Sequence, residues 1–285
     1  MGVNKMKEII DNLGGVVGNW HLIVGEKSGV SRIIAYCLAA QLHVDRRTLG
    51  IAGGSSTDGI CTDLRKNGAD LTKFIVFTPD ELFGTNAQQQ SIRGRLPGAT
   101  VYSPEAAFDP ETLDKLGLDS AVPYKWENEL TDFLEGRSKD PRMKVLAGIM
   151  AANCNNYEAL IKEKGGIDIL LLGMGEDGHV ASIMPGDVAV NGQTYLQRYP
   201  KQHEIIIGGK NIGQTWYAVT IGMGTILQAK EIFLIAYGDK KADALEKALY
   251  GPISGSCPAS LLRSAQQSPP RIVACFDYAA GQKIL

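Results

Sequence analysis

The residues best suited to chemistry lie in one short run, Gly173-Met174-Gly175-Glu176-Asp177-Gly178-His179. It follows an apolar stretch, Ile167 to Leu172, with the length and composition of a buried strand. An Asp two residues before an imidazole can orient the ring or sustain its charge, and glycines around the pair leave backbone open to a small molecule. The chain has only four histidines, so an imidazole at a strand end beside an acid is a candidate general base. Asp177 and His179 are therefore candidate catalytic residues. The competing reading is a histidine that only packs the turn.

Three further strand ends carry polar residues of interest. In Leu49-Gly50-Ile51-Ala52-Gly53-Gly54-Ser55-Ser56-Thr57-Asp58 an apolar run meets two glycines, three hydroxyls and a helical segment. Gly53, Gly54, Ser55 and Ser56 suit a phosphate: glycines let N–H groups approach the oxygens, hydroxyls donate further bonds, and the helix start adds its positive dipole end. The run is neither GxGxxG nor a P-loop, so it does not imply a nucleotide. A strand-to-helix turn N-capped by Ser or Asp is the alternative. Phe74 to Phe77 runs into Asp80 and Glu81, either of which could act as a base or lie on a solvated turn. Ile232 to Tyr237 leads to Lys240 and Lys241 at a helix start, where lysine opposes the dipole unless an anion binds there. Two solvated lysines are the alternative.

These ends need a frame to bring them together. Strand-length apolar runs at Trp20–Val24, Leu49–Ala52, Phe74–Phe77, Ile167–Leu172, Tyr217–Ile221, Ile232–Tyr237 and Ile272–Phe276 recur along the chain. Between several of them, Ser31–Leu42, Asp58–Lys66, Asn153–Lys164 and Lys240–Leu249 have helical spacing. The alternation predicts an α/β fold of three layers, a mostly parallel sheet covered on both sides. In such sheets ligands bind beyond the carboxyl ends of the strands. Without an internal repeat or low-complexity tract, residues 1–285 are expected to form a single domain. An irregular insertion is expected at about 85–140, where Gly, Pro and polar residues cluster, with a short helix at Trp126–Leu134.

Composition narrows the function classes. The 285 residues are 44% hydrophobic and 21% charged, and 29 basic against 31 acidic side chains leave a formal charge of −2. No global field draws nucleic acid or an anionic membrane, so an anion must be held locally. Charges at Lys5, Lys7, Glu8 and Asp11 interrupt any signal peptide, and no later run approaches the ~18 apolar residues of a membrane span. A cytoplasmic location is expected. Gly2 would suit myristoylation, but Lys7 stands where that pattern needs Ser or Thr. The five widely spaced cysteines read as reduced thiols. No cluster has metal-ligand spacing, so neither metal nor cofactor is expected. Oligomeric state leaves no trace in the sequence.

Taken in order, AGGSST, FTPDELFG, GGIDILLLGMGEDGHVASIMPG, AVTIGMGTILQAKEIFLIAYGDKKADAL and PASLL resemble the glucosamine-6-phosphate deaminase and 6-phosphogluconolactonase family. That resemblance covers about Ser31 to Asp277 and implies a modified Rossmann-like fold. It also implies that Gly53, Gly54, Ser55, Ser56 and Lys241 hold the 6-phosphate of a sugar and that Asp177 and His179 are catalytic. The motifs are mixed between the branches. DGHVASIMPG is similar to the lactonase stretch, and Met184 occupies the place of the deaminase ring-opening Glu. DELFG and VTIGMGTILQAKEI are more similar to deaminases, and Asp80 stands where their proton-transfer Asp would be. Leu82 occupies the place of a lactonase Arg, and Thr57 and Asp58 follow the GGSS loop where the family usually has Pro and a variable residue. Arg93, Arg95, Arg198 and Lys210 are other cations that could hold phosphate or sugar, and none of them is assigned a role.

The leading expectation is hydrolysis of 6-phosphoglucono-1,5-lactone, with His179 as base toward water and Asp177 orienting it. The alternative is aldose–ketose isomerisation or deamination of an amino-sugar 6-phosphate with Asp80 as base. A non-catalytic phosphosugar-binding protein is a third reading.

Overall fold

In chain order the strands are β1 (Val16–Val17), β2 (Trp20–Gly25), β3 (Arg47–Ile51), β4 (Phe74–Phe77), β5 (Asp80–Leu82), β6 (Thr100–Tyr102), β7 (Ile169–Gly173), β8 (Tyr195–Ile207), β9 (Lys210–Thr220), β10 (Glu231–Ala236) and β11 (Arg271–Asp277). The computed structural model describes residues 16–17, 20–41, 47–119, 126–187, 192–207, 210–264 and 271–285. The main sheet has the order β1-β2-β11-β10-β7-β3-β4-β6. Its β1–β2 pair is antiparallel and every other neighbouring pair is parallel.

Successive strand residues point to opposite faces, and here both faces are covered. Leu170, Leu172, Ile232 and Leu234 pack on one side with Tyr157, Ile161, Leu245 and Leu249 from the helices Pro141–Glu163 and Ala242–Tyr250. Ile169, Leu171, Phe233 and Ile235 pack on the other with Ile34, Leu38, Ile60 and Leu64 from the helices Lys27–Gln41 and Asp58–Lys66. The result is the three-layer α/β architecture that the run-and-helix pattern predicts and the Rossmann-like fold that the family resemblance implies.

A smaller antiparallel sheet, β5-β9-β8, lies beside it, over an aromatic core that includes Phe83, Trp126 and Tyr217. The run expected as a strand at Tyr217–Ile221 is the end of the longer β9. Its partner β8 escapes an apolar scan because YLQRYPKQHE is mostly polar. That composition, Pro200 included, suits the edge position that β8 holds.

The expected irregularity at 85–140 is corrected. The described part of that stretch carries the helices Ala87–Arg95, Pro110–Lys115 and Glu127–Leu134 as well as β6. The prolines and acids that suggested loops punctuate helices. Asp109 accepts the Thr112 N–H at 2.9 Å with Pro110 in the first helical turn. Asp140 does the same for Arg142 at 2.8 Å ahead of Pro141. Proline there loses no helical hydrogen bond.

The order of the main sheet creates a crevice. From β3 the chain steps outward through β4 to β6, then returns to β7 on the other side of β3 and steps outward through β10 and β11. The carboxyl ends of β3 and β7 are therefore adjacent while their following segments diverge, which is where open α/β sheets bind ligands. Among the described residues, no helix is long and apolar enough to cross a membrane.

Candidate active site

A cavity of about 600 Å³ opens over this crevice, within the size range of small-molecule sites. Gly53, Gly54, Ser55 and Ser56 line it after β3, Asp80 from β5, Asp177 and His179 after β7, and Lys241 after β10. These residues thus meet in one cavity. Glu81 does not. The period of two in β5 turns Asp80 to the cavity and Glu81 away from it, to accept the backbone N–H groups of Gln88 at 2.9 Å and Gln89 at 3.0 Å. Glu81 is a helix cap, and burial pushes its carboxyl up to about 7 against those hydrogen bonds.

The turn after β7 is shaped to present the imidazole. His179 Nδ1 lies 2.6 Å from Asp177 Oδ1, which also accepts the His179 backbone N–H at 3.1 Å. With Nδ1 so engaged, Nε2 is the ring nitrogen left for the cavity, and the side chain is 36% exposed. Burial acts to raise the Asp177 carboxyl, but the His179 N–H, the ring's charge and the ring hydrogen bond together hold it below its ordinary value. Two glycines are structurally required here. A Cβ on Gly175 would sit 2.1 Å from His179 Nδ1, and Gly178 has φ +87° with the Cys257 sulfur behind it.

The Gly-Ser loop is a tight turn into a helix. Thr57 Oγ1 bonds the carbonyls of Ala52 at 2.9 Å and Gly54 at 3.1 Å, so this hydroxyl closes the loop from within. Ser55 and Ser56 begin the helical turn on the cavity side. Lys241 enters from the helical turn after β10. Burial lowers its pKa, while Glu176 and Asp177 act in the other direction.

Asp80 has neighbours that the sequence reading did not find. Ser182 Oγ donates to Asp80 Oδ2 at 2.6 Å, and Tyr199 OH lies 2.8 Å from Ser182 Oγ. Since the Ser182 hydrogen goes to the carboxylate, Tyr199 is the donor to Ser182. Burial and the Asp80 carboxylate push the Tyr199 phenol well above its ordinary value, so it stays a neutral donor. Both hydroxyls line the cavity. Ser182 sat unremarked three residues after His179, and Tyr199 was hidden in the unrecognised β8. Met184 and Leu82 also line the cavity, packed with Ala87, Tyr199 and Ala218 as an apolar wall. Among the described residues no group of three or more His, Cys, Asp or Glu could hold a metal ion. Of the unassigned cations, Arg95 lies behind the Gly-Ser loop, Arg93 is exposed, and Arg198 stacks over Trp216 at 5.3 Å. The Lys210 side chain lies outside the described residues.

Comparison with known proteins shows the family. The family model described as glucosamine-6-phosphate isomerases/6-phosphogluconolactonase matches residues 26–269. The chain belongs to this family of sugar-phosphate enzymes. One relative, a glucosamine-6-phosphate deaminase of Lachnoclostridium phytofermentans, is 40% identical over 140 residues, 46% of this chain and 56% of that one. Another, from Cutibacterium acnes and of the same name, is 30% identical over 273 residues, 92% of this chain and 91% of its own. Solved structures of the same fold include a monomeric glucosamine-6-phosphate deaminase, with TM-score 0.63 and 21% identity over 92% of this chain and 98% of that chain. They also include the 6-phosphogluconolactonase of Trypanosoma brucei, with TM-score 0.64 and 16% identity over 93% and 98%.

Proposed function

We propose that the protein binds an amino-sugar 6-phosphate and converts aldose to ketose with release of ammonia, using Asp80 as the base at carbon. The observation that carries this reading is the buried Asp80 carboxylate, held by Ser182 in the same cavity as His179. Proton transfer between adjacent carbons needs such a second base, and lactone hydrolysis does not. The names of the relatives point the same way. Leu82 leaves an apolar surface where the lactonase pattern has a cation. The order of the two reactions expected from the sequence is accordingly reversed.

In this reading the N–H groups and hydroxyls of the Gly53–Ser56 loop hold the phosphate, with Lys241 supplying charge. The anchor is remote from the reacting carbons, so its binding energy goes into orientation. His179 Nε2 takes the O1 proton as the C1–O5 bond breaks and delivers a proton to O5. Asp177 fixes the tautomer and supports the transient imidazolium. Asp80 then removes the C2 proton. The electron pair forms C1=C2 while the O1 carbonyl takes a proton from the neighbouring C2 ammonium, giving an enolamine. Return of the proton to C1 moves the double bond to C2=N, and water adds at C2 to expel ammonia and leave the ketose. Met184 contributes no proton, so ring opening rests on the Asp177–His179 pair alone.

Lactone hydrolysis remains the second reading, favoured by Met184 and by the partly exposed His179 ring. Ammonia release from glucosamine 6-phosphate and acid release from fresh 6-phosphoglucono-1,5-lactone, assayed side by side, decide between them. Ammonia with no acid above the spontaneous rate is expected; the reverse outcome overturns the proposal.

A further inference from the structure

The helix Ala87–Arg95 grips the Gly-Ser loop from both of its ends. At the C-terminal end, Arg95 Nη2 donates to the Gly53 carbonyl at 2.7 Å, and Nη1 to the Gly54 carbonyl and Thr57 Oγ1, each at 3.1 Å. Arg95 Nε pairs with Asp58 Oδ1 at 2.9 Å. The guanidinium is thus spent on the loop, and it is not part of the cavity lining. At the N-terminal end, Gln88 lies so close to Gly53 that a Cβ there would fall 1.6 Å from its Oε1. The helix start has no side-chain cap of its own from Asn86. Glu81 caps it instead, through the Gln88 and Gln89 N–H groups, while also accepting the Ser103 hydroxyl at 3.0 Å.

Peptide geometry turns these contacts into a function. In a trans peptide the C=O of one residue and the N–H of the next point in opposite directions. Carbonyls of Gly53 and Gly54 drawn toward Arg95 therefore aim the N–H groups of Gly54 and Ser55 the other way, toward the cavity that both residues line. A five-donor planar guanidinium suits this task, because several acceptors in a fixed fork hold the loop in one conformation.

We propose that Arg95 is a positioning residue that presets the anion-binding N–H groups of Gly54 and Ser55, with the Glu81-capped helix as the strut joining that loop to the strand of Asp80. This rests on the reading of Gly53–Ser56 as the phosphate holder. Arg95 acts on a bound phosphate through the loop, not by contact.

The test is titration of the full chain with inorganic phosphate and with glucitol 6-phosphate, which cannot isomerise or be hydrolysed. Binding is followed by calorimetry and by the 1H–15N signals of Gly54 and Ser55. In the unaltered protein both ligands move both signals. Arg95→Met is expected to weaken each ligand about tenfold and to shift both signals before any ligand is added. Arg95→Lys should restore part of the affinity. Thr57→Val, which removes one Arg95 acceptor and an internal loop bond, should weaken binding in the same direction; a guanidinium touching phosphate directly would instead leave the Gly54 and Ser55 signals of ligand-free Arg95→Met unshifted. If Arg95→Met does not fold, the Lys and Val variants carry the test. Unchanged affinity in the variants, with normal binding by the unaltered protein, overturns the role of Arg95. Absence of binding at Gly54 and Ser55 in the unaltered protein overturns the phosphate-holder reading itself, and the role of Arg95 with it.

Discussion

Ser182 Oγ lies 2.6 Å from Asp80 Oδ2 across 102 positions of sequence, and donates its hydrogen to it. The hydroxyl comes from the turn that also carries His179, so the carboxylate of one segment is oriented by the segment bearing the imidazole. Ser182 N in turn donates to Thr220 Oγ1 at 3.2 Å, and Thr220 is the strand partner of Asp80. Three segments fix one carboxylate.

Ser182→Ala removes a hydrogen bond to a charged group together with the contact between Ser182 Oγ and the Tyr199 hydroxyl. Hydrogen bonds to ionised groups are worth enough that kcat for ammonia release should fall roughly ten- to hundredfold, with the affinity for glucitol 6-phosphate nearly unchanged. Ser182→Thr should recover part of the loss. Steady-state kinetics beside calorimetry checks this, and a variant that loses affinity but not kcat would contradict it.

Asp80→Asn keeps the shape of the side chain and removes its basicity. Exchange of the C2 hydrogen of the substrate with deuterium from solvent, read by NMR, should drop by about 10²-fold or more. His179→Ala should instead slow turnover of the ring-closed sugar. Equal C2 exchange in Asp80→Asn and unaltered protein would remove Asp80 from the mechanism.

Gly175→Ala directs a methyl group at the Asp177–His179 contact, 2.1 Å from Nδ1 and 2.7 Å from Oδ1. The ring and the carboxylate must part, so turnover should fall by roughly 10²-fold or more. The phosphate end lies on a different loop and its affinity should be preserved. Comparing kcat with the dissociation constant of inorganic phosphate separates the two ends of the cavity.

Stability should depend on pH through two buried glutamates. Burial pushes both Glu81 and Glu127 from 4.5 up to about 7. Glu127 is held between the Thr215 hydroxyl at 2.6 Å and the Trp216 N–H at 3.1 Å. Between those pH values the folded chain keeps protons that the unfolded chain releases. The stabilisation is therefore complete below about 4.5 and is lost as pH rises through about 7. The loss is at most ~3 kcal/mol per carboxyl. Urea unfolding should give a higher midpoint at pH 5.5 than at pH 8. Glu127→Gln should flatten part of that slope, because an amide can donate to Thr215 Oγ1 and accept from Trp216. A slope unaltered in this variant would exclude Glu127.

Strands that are buried on both faces announce themselves, and β4, β7, β10 and β11 stand out in the sequence for that reason. The cavity-lining residues after β3, β7 and β10 could be picked out as candidates too, because Ser, Asp, His and Lys beside glycines at the end of an apolar run gather polar groups where such sheets bind ligands. What escaped was set by tertiary contact. Tyr199 belongs to an edge strand whose alternation is masked by polar residues and Pro200. Arg95 is an unexceptional cation in a polar helix until its acceptors on a distant loop are seen. Asp80 and Glu81 are chemically alike and adjacent, and only strand pairing with β9 decides which one faces the cavity. The short helix expected at Trp126–Leu134 is present as Glu127–Leu134, while Pro110–Lys115 was missed because an Asp-Pro pair signals a break and a helix start equally well.

The cavity is assembled from turns after β3, β7 and β10 together with β5, segments that lie together only when the sheet order is complete. A ligand touching Ser55, Asp80 and Lys241 at once is thus a clasp on the whole molecule. By mass action, a ligand at a hundred times its dissociation constant adds about 2.7 kcal/mol to the free energy of unfolding. Loaded molecules open less often than empty ones, and a protease that cuts only opened chains would spare them for as long as sugar phosphate is plentiful.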